Sequence, residues 1–339
     1  MEASKTAVVL INVGSPDSSS TKDVRKYLSE FLNDPRVMDI PWLLRKILVN
    51  LVIVPFRASG SAKRYRMLET EEGFPQIHYG GVVREKLQRL LGEEYRVYTA
   101  MRYGSPGLGE VTRQILDGDY QTVVAIPLFP QYASCTTGTA LSLIMGELQA
   151  REVIPELRFV SSFYDHPGFV RAFAERIRAS GYREYDHIVF SYHGLPLRQI
   201  RKVHPNIDPS GCLCETEFPA HGRYCYKAAS YETTRLLASE LGLGPADYSV
   251  AFQSRMSSGW TAPFTDDLLV QKAGEGVADV LVVAPSFVAD CLETTVELGV
   301  EYKELFLQAG GKKLSYVESL NDMDKWVEVL KGLVTQPSE

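Results

Sequence analysis

The sequence lacks any long, uninterrupted apolar run. Its most apolar segment is WLLRKILVNLVIVPF, residues 42–56, in which Arg45, Lys46 and Asn50 interrupt the apolar side chains. A helix that crosses a bilayer needs about 20 predominantly apolar residues, so this segment is too short and too polar to span one. We expect either a buried helix or an interfacial helix that forms the lip of a pocket for an apolar ligand. Trp42 and the basic pair suit the second alternative.

Basic charge is also scarce. The 339 residues contain 36 Lys and Arg against 42 Asp and Glu, a formal net charge of −6. A general nucleic-acid-binding protein carries a basic footprint, so we expect no nucleic-acid partner. The first residues, MEASKTAVVLINVG, contain neither a basic region nor a small-residue cleavage site, and we therefore expect no secretory signal peptide.

Cysteine is sparse and odd in number. Five cysteines in 339 residues argue against a disulfide scaffold and suit a reducing compartment. We therefore expect a cytoplasmic protein.

What the sequence does contain is a regular alternation of short apolar runs with amphipathic stretches. Parallel strands that are covered on both faces have continuous aliphatic and β-branched sequences. Their alternation with helices predicts an α/β fold of two doubly wound halves with parallel sheets. The expected strands are residues 6–12, 95–101, 122–128, 157–163, 187–193, 248–254, 279–286 and 314–320. The expected helices are residues 79–91, 107–117, 137–150, 167–179, 227–241, 264–275, 291–308 and 322–334.

The two halves share a plan. Each begins with a strand that runs into a polar, glycine-containing loop, LINVGSPD in one half and FSYHGLP in the other. We place residues 1–180 in the N-terminal half, with a lip segment at 41–60, and residues 181–339 in the C-terminal half, with a cysteine-containing insert at 205–228. Doubly wound sheets bind ligands outside the carboxyl ends of their strands, so polar residues at those ends are the candidates for a functional site.

His193 ends the apolar strand HIVFSYH and precedes Gly194. A histidine at the end of a rigid strand can serve as a general base or a metal ligand. The alternative is a histidine that merely caps the strand end. The segment GSP at residues 14–16 lacks the further glycines of the dinucleotide fingerprint, so we expect no organic cofactor.

Two other strand ends carry side chains suited to anions. In AIPLFPQYASCTTG, residues 125–138, Ser134 and Thr136 lie where a strand passes into a helix. Hydroxyls and backbone N–H groups at a helix start bind carboxylate or phosphate, and ordinary N-capping is the alternative. Arg102, in MRYGSP, ends another strand and is suited to pair with a carboxylate.

The insert that follows the histidine motif holds Cys212, Cys214 and Cys225 close together in sequence. Three thiols in one loop suggest a soft-metal site, either zinc or an iron–sulfur cluster. The alternative is three free thiols in a surface loop. The fourth ligand of a metal site stays open, with His204, His221 and a distant cysteine as the options.

The segment FVADCLETTVELGVEYKEL carries a stripe of carboxylates. Glu293, Glu297, Glu301 and Glu304 are spaced by four, four and three residues, which places them on one face of an α-helix. One explanation is a solvated acidic face. The other is chemical, because the stripe follows an apolar strand at the expected ligand-binding edge. Closely spaced carboxylates favour proton uptake, and they can also hold a divalent cation briefly.

Eight segments in order resemble ferrochelatase, the enzyme that inserts ferrous iron into a porphyrin at the end of haem synthesis. The resemblance covers nearly the whole chain. It implies a chelatase-like fold of two Rossmann-like halves with the porphyrin in a cleft between them. It also implies insertion of Fe²⁺ into protoporphyrin IX to form protohaem, with release of two protons. The segments are LINVGSP (10–16), FLNDPRVMDIP (31–41), MRYGSP (101–106), PLFPQYASCTTG (127–138), SYHGLP (191–196), FQSRMSSGWTAPFTD (252–266), FVADCLETTVEL (287–298) and LNDMDKWV (320–327).

The resemblance further implies roles for individual residues. His193 and Glu293 are the expected catalytic residues, which handle the pyrrole protons and the iron. Glu297 and Glu301 are expected to form a track for protons or metal. The expected propionate-binding residues are Arg102, Tyr103, Ser134 and Thr136, and the expected apolar contacts of the macrocycle are Met38, Trp260 and Pro263.

Some members of the family carry a [2Fe–2S] cluster on four cysteines and others carry none. Here Cys212, Cys214 and Cys225 are the candidate ligands, and the fourth is unresolved because Cys135 and Cys291 fall within other motifs. The expected partners are protoporphyrin IX and ferrous iron. We also expect peripheral contact with the inner membrane, and a monomer or a homodimer.

Three alternative functions fit parts of the pattern. They are a coproporphyrin ferrochelatase, a cobalt or nickel chelatase for a more carboxylated tetrapyrrole, and a non-catalytic haem-binding protein. Cobalt and nickel chelatases commonly use more than one histidine at the metal, whereas this sequence pairs His193 with Glu293. A haem-binding protein needs an axial ligand but no proton path, so the acidic stripe argues against it.

Overall fold

The computed structural model describes residues 5–204, 206–208 and 211–336, and the chain forms two compact units. Unit 1 contains the described residues within 1–129, 134–162 and 321–339, and unit 2 contains those within 130–133 and 163–320. This division differs from the predicted boundary at residue 180. Residues 163–180 belong to unit 2, and the chain returns to unit 1 after residue 320.

Each unit is built on a four-stranded parallel sheet. Unit 1 contains β1 (Thr6–Asn12), β2 (Tyr95–Met101), β3 (Thr122–Pro127) and β4 (Glu156–Phe159), in the order β2-β1-β3-β4. Unit 2 contains β5 (His187–His193), β6 (Tyr248–Gln253), β7 (Asp279–Val283) and β8 (Lys313–Tyr316), in the order β6-β5-β7-β8. The two orders are equivalent, which confirms the α/β fold with two parallel sheets.

Helices connect the strands, as parallel pairing requires. They are α1 (Thr21–Leu32), α2 (Trp42–Ile47), α3 (Val54–Leu68), α4 (Pro75–Leu91), α5 (Leu108–Leu116), α6 (Thr139–Leu148), α7 (Pro167–Ala179), α8 (Leu197–Val203), α9 (Tyr226–Leu241), α10 (Thr265–Gly274), α11 (Lys303–Gln308) and α12 (Asp324–Thr335). Short 3₁₀ helices cover Tyr182–Glu184, Leu213–Glu215 and Gly222–Tyr224. The sequence pattern did not predict α1 or α8, nor α3 beyond residue 56.

The last helix, α12, packs against α4 and explains the return of the chain to unit 1. Lys86 of α4 donates to the Asp322 carbonyl oxygen at 2.6 Å and to Asp324 Oδ1 at 2.9 Å. Arg158, in β4, donates to the Leu333 carbonyl oxygen at 2.6 Å. The Arg158 bond satisfies a carbonyl group in the last turn of α12, where a helix leaves its carbonyl groups unpaired, and the Lys86 bonds hold the start of the segment.

Three described segments are wound as π-helices: Leu48–Ile53, Ser134–Gly138 and Leu292–Tyr302. The π-helix, with i→i+5 hydrogen bonds, is rare and often occurs at functional sites. The segment Leu292–Tyr302 contains three of the four stripe carboxylates and passes directly into α11. The prediction of one α-helix over residues 291–308 is therefore wrong, because Leu292–Tyr302 is a π-helix and only Lys303–Gln308 is α-helical.

The cores of the two units hold the site elements in place. In unit 1, β1, β2 and β3 pack against α5 and α6 through aliphatic side chains. In unit 2, Val189 of β5 and Val282 of β7 lie in one apolar cluster with Leu269, Leu298 and Phe306. Leu298 belongs to the π-helix Leu292–Tyr302, so its burial fixes that helix against the sheet that carries His193.

The lip segment is exposed on one face. Exposed fractions reach 65% for Trp42, 70% for Leu51 and 82% for Phe56, while Val49 and Val54 are buried. A wholly buried helix is therefore the wrong alternative for residues 42–56, and the interfacial one agrees with the exposure. None of the described helices is both long enough and apolar enough to cross a membrane.

Candidate active site

His193 is the last residue of β5 and is half-buried. Its Nδ1 atom lies 2.7 Å from the Gly194 carbonyl oxygen. A carbonyl oxygen can only accept, so Nδ1 carries the hydrogen and Nε2 carries the lone pair. Nε2 is therefore the ring atom that can take a proton or bind a metal. The ring centroids of Trp260 and Phe287 lie 6.5 and 6.4 Å from that of the imidazole.

The loop after β5 depends on glycine at position 194. A Cβ atom there would lie 2.8 Å from the Gln253 carbonyl oxygen and 3.3 Å from a ring carbon of Trp260. The missing side chain lets the end of β6 and the Trp260 ring approach this loop. Pro263 is exposed, and its carbonyl oxygen accepts from the Phe252 N–H at 2.8 Å, which ties the Trp260 loop to β6.

Gln253 joins the histidine strand to the acidic stripe. It ends β6 in register with His193 and is fully buried. Its Nε2 donates to the Glu293 carbonyl oxygen at 3.1 Å and to Glu297 Oε2 at 3.4 Å. Its Oε1 accepts from Ser191 Oγ at 2.8 Å. One buried amide thus fixes the first turns of the π-helix relative to the strand that carries His193.

Glu297 is the most buried of the four stripe carboxylates, with 7% exposed. Its Oε2 accepts from Ser254 Oγ at 2.6 Å, and its Oε1 accepts from the Tyr302 hydroxyl at 2.9 Å. The Ser254 N–H donates to the same hydroxyl oxygen at 3.4 Å. Together with Gln253, these groups supply three side-chain donors to one carboxylate. Gln253 and Ser254 were candidates from the sequence as polar residues at the carboxyl end of a strand, whereas Tyr302 and the contacts with Glu297 were not predicted.

The stripe is graded in exposure. Glu293 is half-buried, Glu297 is buried, and Glu301 and Glu304 are exposed. The exposure of Glu301 and Glu304 therefore agrees with a solvated acidic face, whereas the burial of Glu297 does not. A carboxylate in the first turn of a helix, such as Glu293, is favoured by the backbone N–H groups there.

Cys291 caps the start of this helix. Its side chain accepts from the Thr294 N–H, and Thr294 Oγ1 accepts from the Cys291 N–H at 3.0 Å. Burial, with the charge of Glu293 next in size, raises the pKa of the Cys291 thiol well above its ordinary range. The thiol therefore stays protonated, next to Glu293.

A buried carboxylate in unit 1 organises two of the predicted propionate-binding residues. Asp34 Oδ2 accepts from Arg102 Nη2 at 2.5 Å, from the Tyr103 hydroxyl at 3.0 Å and from Thr139 Oγ1 at 2.5 Å. Burial, followed by the charge of Asp34, raises the pKa of Tyr103, so its phenol remains a donor. Asp34 was not among the residues predicted for the site, although the FLNDPRVMDIP motif contains it.

Ser134 begins one of the π-helices, and its Oγ accepts from Arg36 Nη1 at 2.8 Å. The Arg36 N–H donates to Asp34 Oδ1 at 2.7 Å. Unit 1 therefore adds a second cationic side chain near a predicted anion-binding hydroxyl. Thr136 is half-buried in the same π-helix, and Met38 donates its N–H to the Asp34 carbonyl oxygen at 2.8 Å.

The three cysteines of the insert lie near one another in unit 2. Burial raises the pKa of Cys214 to about 12, and it also raises the pKa of Cys225, with smaller contributions from neighbouring thiols. Cys212 Sγ lies 3.3 Å from His221 Nε2, and the His221 ring centroid lies 4.7 Å from that of His204. Within the described ranges, no three His, Cys, Asp or Glu side chains are placed to hold one metal ion.

The insert supplies three cysteines to a four-cysteine cluster. Of the other two, Cys135 lies in a π-helix and Cys291 caps one, so the fourth ligand stays open. Metal ligation requires thiolates, and a bound cation would itself lower the pKa values that burial raises at Cys214 and Cys225.

Solved structures share the fold at low sequence identity. SirB from Bacillus subtilis with Fe³⁺ aligns with a TM-score of 0.51 and 11% identity over 97% of this chain and 94% of that chain. DR2241 from Deinococcus radiodurans, a multi-domain protein with structural similarity to chelatases, aligns with a TM-score of 0.51 and 15% identity over 99% of this chain and 56% of that one. These likenesses support the chelatase-like fold alone.

Sequence relatives are much closer. The ferrochelatase of Legionella pneumophila (strain Lens) is 37% identical over 338 residues, 98% of this chain and 99% of its own. The ferrochelatase of Opitutus terrae is 39% identical over 335 residues, 97% and 96% of the two chains. The family model named Ferrochelatase matches residues 5–338. With the resemblance of the eight motifs confirmed over nearly its whole length, the chain belongs to the ferrochelatase family.

Proposed function

We propose that this chain is an enzyme that inserts Fe²⁺ into protoporphyrin IX, with His193 and Glu293 as its catalytic residues. Family membership supports iron insertion, and the geometry of unit 2 supports the residue assignment. The observation that carries the assignment is the buried Gln253 amide, which ties the π-helix start to the strand that ends at His193.

Metallation of a porphyrin requires a base for two pyrrole N–H protons. Nε2 of His193 is that base, because Nδ1 is held as a donor by the Gly194 carbonyl oxygen. A strand-held base near its working geometry needs little reorganisation. Glu293, half-buried in the first helical turn, takes the other proton and offers an oxygen ligand to the incoming iron. Fe²⁺ must lose water stepwise, and a few exchangeable oxygen and imidazole ligands suit that process.

The remaining carboxylates are proposed as the route between this centre and water. Glu297 is buried and Glu301 is exposed, so the pair spans the change from protein interior to solvent along one helix. Glu304 is exposed and is assigned no role.

Unit 1 is proposed to bind the propionates through Arg102, Tyr103, Ser134 and Thr136. A porphyrin is an apolar disc with two anionic tails, so it needs apolar walls and a few oriented donors. Asp34 fixes Arg102 and Tyr103 before any ligand arrives, and preorganised donors bind with less loss of conformational entropy. Met38, Trp260 and Pro263 are proposed as apolar contacts of the macrocycle.

The test mixes the purified chain anaerobically with protoporphyrin IX and Fe²⁺ and follows the loss of porphyrin fluorescence. Parallel reactions use coproporphyrin with Fe²⁺, and Co²⁺ or Ni²⁺ with a more carboxylated tetrapyrrole. We expect protoporphyrin with Fe²⁺ to react fastest. A rate no higher than that without protein would contradict enzymatic iron insertion, and a higher rate with coproporphyrin would change the assigned substrate.

A [2Fe–2S] cluster on Cys212, Cys214 and Cys225 stays a prediction. If a cluster binds, the His221 imidazole, 3.3 Å from Cys212 Sγ, is a candidate for the fourth ligand. The test measures the visible spectrum, iron and acid-labile sulfide of anaerobically purified protein, with Cys135→Ser as the control. A colourless preparation without iron or sulfide would rule the cluster out, and zinc analysis would then address the other soft metal.

The lip segment is proposed to bring a cytoplasmic enzyme, monomeric or homodimeric, into peripheral contact with the inner membrane. Trp42, Leu51 and Phe56 are exposed beside the exposed cations Lys46 and Arg57. Apolar side chains next to basic ones bind anionic lipid surfaces.

Co-sedimentation with anionic vesicles tests this contact. We expect Leu51→Ser with Phe56→Ser to reduce binding. Val153→Ser is the control, since Val153 is 83% exposed but lies outside the lip. Equal vesicle binding by the wild-type chain, the double variant and the control would contradict the proposal. The sedimentation coefficient measured without vesicles reports the oligomeric state.

A further inference from the structure

We infer that Tyr302 is a positioning residue for iron insertion, whose phenol orients the buried Glu297 carboxylate. The inference deepens the proposed function and rests on it, because Glu297 belongs to the proposed proton route. Tyr302 was assigned no role by the sequence motifs. Its position in the structure supplies one.

The contact depends on the winding of the helix. Glu297 and Tyr302 are five residues apart, a spacing that places two side chains on different faces of an α-helix. In a π-helix the i→i+5 hydrogen bonds bring residues five apart close together along the axis. Tyr302 is the last residue of the π-helix, and its hydroxyl reaches Glu297 Oε1 at 2.9 Å.

Each oxygen of the Glu297 carboxylate has its own hydroxyl donor. Tyr302 donates to Oε1, and Ser254 donates to Oε2 at 2.6 Å. The Ser254 N–H also donates to the Tyr302 hydroxyl at 3.4 Å, which directs the phenol hydrogen towards the carboxylate. Ser254 adopts a φ of +62°, a strained conformation for a residue other than glycine that persists only where the surroundings hold it. The three residues therefore form one closed set of hydrogen bonds.

The phenol is also fixed as a donor. Burial, with the charge of Glu297 next, raises the pKa of Tyr302, so the hydroxyl keeps its proton throughout the working pH range. A neutral phenol therefore orients the Glu297 carboxylate through a hydrogen bond without placing a second charge beside it.

Tyr302→Phe removes the donor and keeps the ring. We expect kcat to fall about tenfold, the typical value of one hydrogen bond to a charged group, with KM for the porphyrin unchanged.

A double-mutant cycle with Glu297→Gln tests whether Tyr302 acts through Glu297. We expect Tyr302→Phe to have little further effect in the Glu297→Gln background, since a neutral amide has no charge to hold. Tyr182→Phe is the matched control, because Tyr182 is buried in the same unit and donates to the Leu241 carbonyl oxygen at 2.8 Å. It should leave kcat unchanged in both backgrounds, and the unfolding midpoint of each variant confirms folding.

Two outcomes would overturn the inference. One is an unchanged kcat in Tyr302→Phe, and the other is an equal loss of kcat in the wild-type and Glu297→Gln backgrounds. Either result leaves the proposed function intact if the wild-type chain inserts iron. Failure of the wild-type chain to insert iron would instead overturn the proposed function.

Discussion

The Arg102 guanidinium donates to the Asp34 carboxylate at 2.5 Å inside unit 1, where the Asp34 side chain is 2% exposed and that of Arg102 is 17% exposed. Tyr103 and Thr139 complete the set of donors to the same oxygen. The pair satisfies a buried negative charge within the unit. Arg102 therefore supports the fold of unit 1 first, and a ligand carboxylate would share its guanidinium with Asp34.

Breaking the Arg102–Asp34 pair should mainly lower the free energy of unfolding, with a smaller effect on porphyrin affinity. Arg102→Met leaves the Asp34 charge buried without its partner, and we expect a loss of about 3 kcal/mol in the free energy of unfolding. Asp34→Leu combined with Arg102→Met removes both charges and should recover part of that loss. Denaturant unfolding measures stability, and fluorescence quenching measures porphyrin affinity. A large loss of affinity with unchanged stability would assign Arg102 to the ligand alone.

Gly194→Ala should impair both folding and turnover. The added Cβ would lie 2.8 Å from the Gln253 carbonyl oxygen, a backbone atom that cannot yield without moving β6. We expect a loss of about 1–3 kcal/mol in the free energy of unfolding. Gly146→Ala, in α6, is the control, because no atom lies within 4 Å of its Cβ position. It should keep or slightly raise stability, and equal effects of the two variants would contradict the close approach.

Replacing the stripe carboxylates one by one should give a graded loss of activity. We expect Glu293→Gln to abolish turnover, Glu297→Gln and Glu301→Gln to slow it, and Glu304→Gln to change it little. The order follows their assigned roles, and the exposure of Glu304 leaves its amide variant solvated at little cost. Steady-state rates at saturating porphyrin measure the activity of each variant. Equal effects at all four positions would mean that the stripe is structural.

Unit 2 should lose stability in mild acid through His187. Burial lowers the pKa of His187 below its ordinary value of 6.5, so the folded chain holds the ring neutral beside Ser249 Oγ at 2.9 Å. Below about pH 6.5 the unfolded chain takes up the proton more readily, and stability falls as pH decreases, by at most about 1.4 kcal/mol per pH unit. His187→Gln should make the dependence of unfolding free energy on pH shallower between pH 7 and 5. An unchanged slope would contradict this contribution.

The sheets were predictable because parallel strands covered on both faces are continuous apolar runs. The bounds of β1, β2 and β5 are those expected from the sequence. The candidate site residues His193 and Arg102 could be predicted as well, because each is a polar residue at the carboxyl end of an apolar strand. The shorter β7 and β8 show that apolar residues can continue past the point where pairing stops.

The features that escaped prediction depend on spatial contacts. Nothing in the composition of residues 292–302 distinguishes a π-helix from an α-helix, because the i→i+5 bonds arise from how the segment packs and caps. The partners of Glu297 lie at positions 253, 254 and 302, far apart in sequence for two of the three. Asp34 is likewise distant in sequence from Arg102. Such buried polar networks form only after the strands are placed.

The most direct test of the account compares His193→Ala with the wild-type chain in anaerobic iron insertion. Initial rates of protohaem formation are measured alongside porphyrin binding by fluorescence quenching, with His78→Ala of unit 1 as the control. The account predicts that His193→Ala binds porphyrin but forms protohaem no faster than the reaction without protein, while the control keeps the wild-type rate. An undiminished rate in His193→Ala would contradict the role of Nε2 as the base.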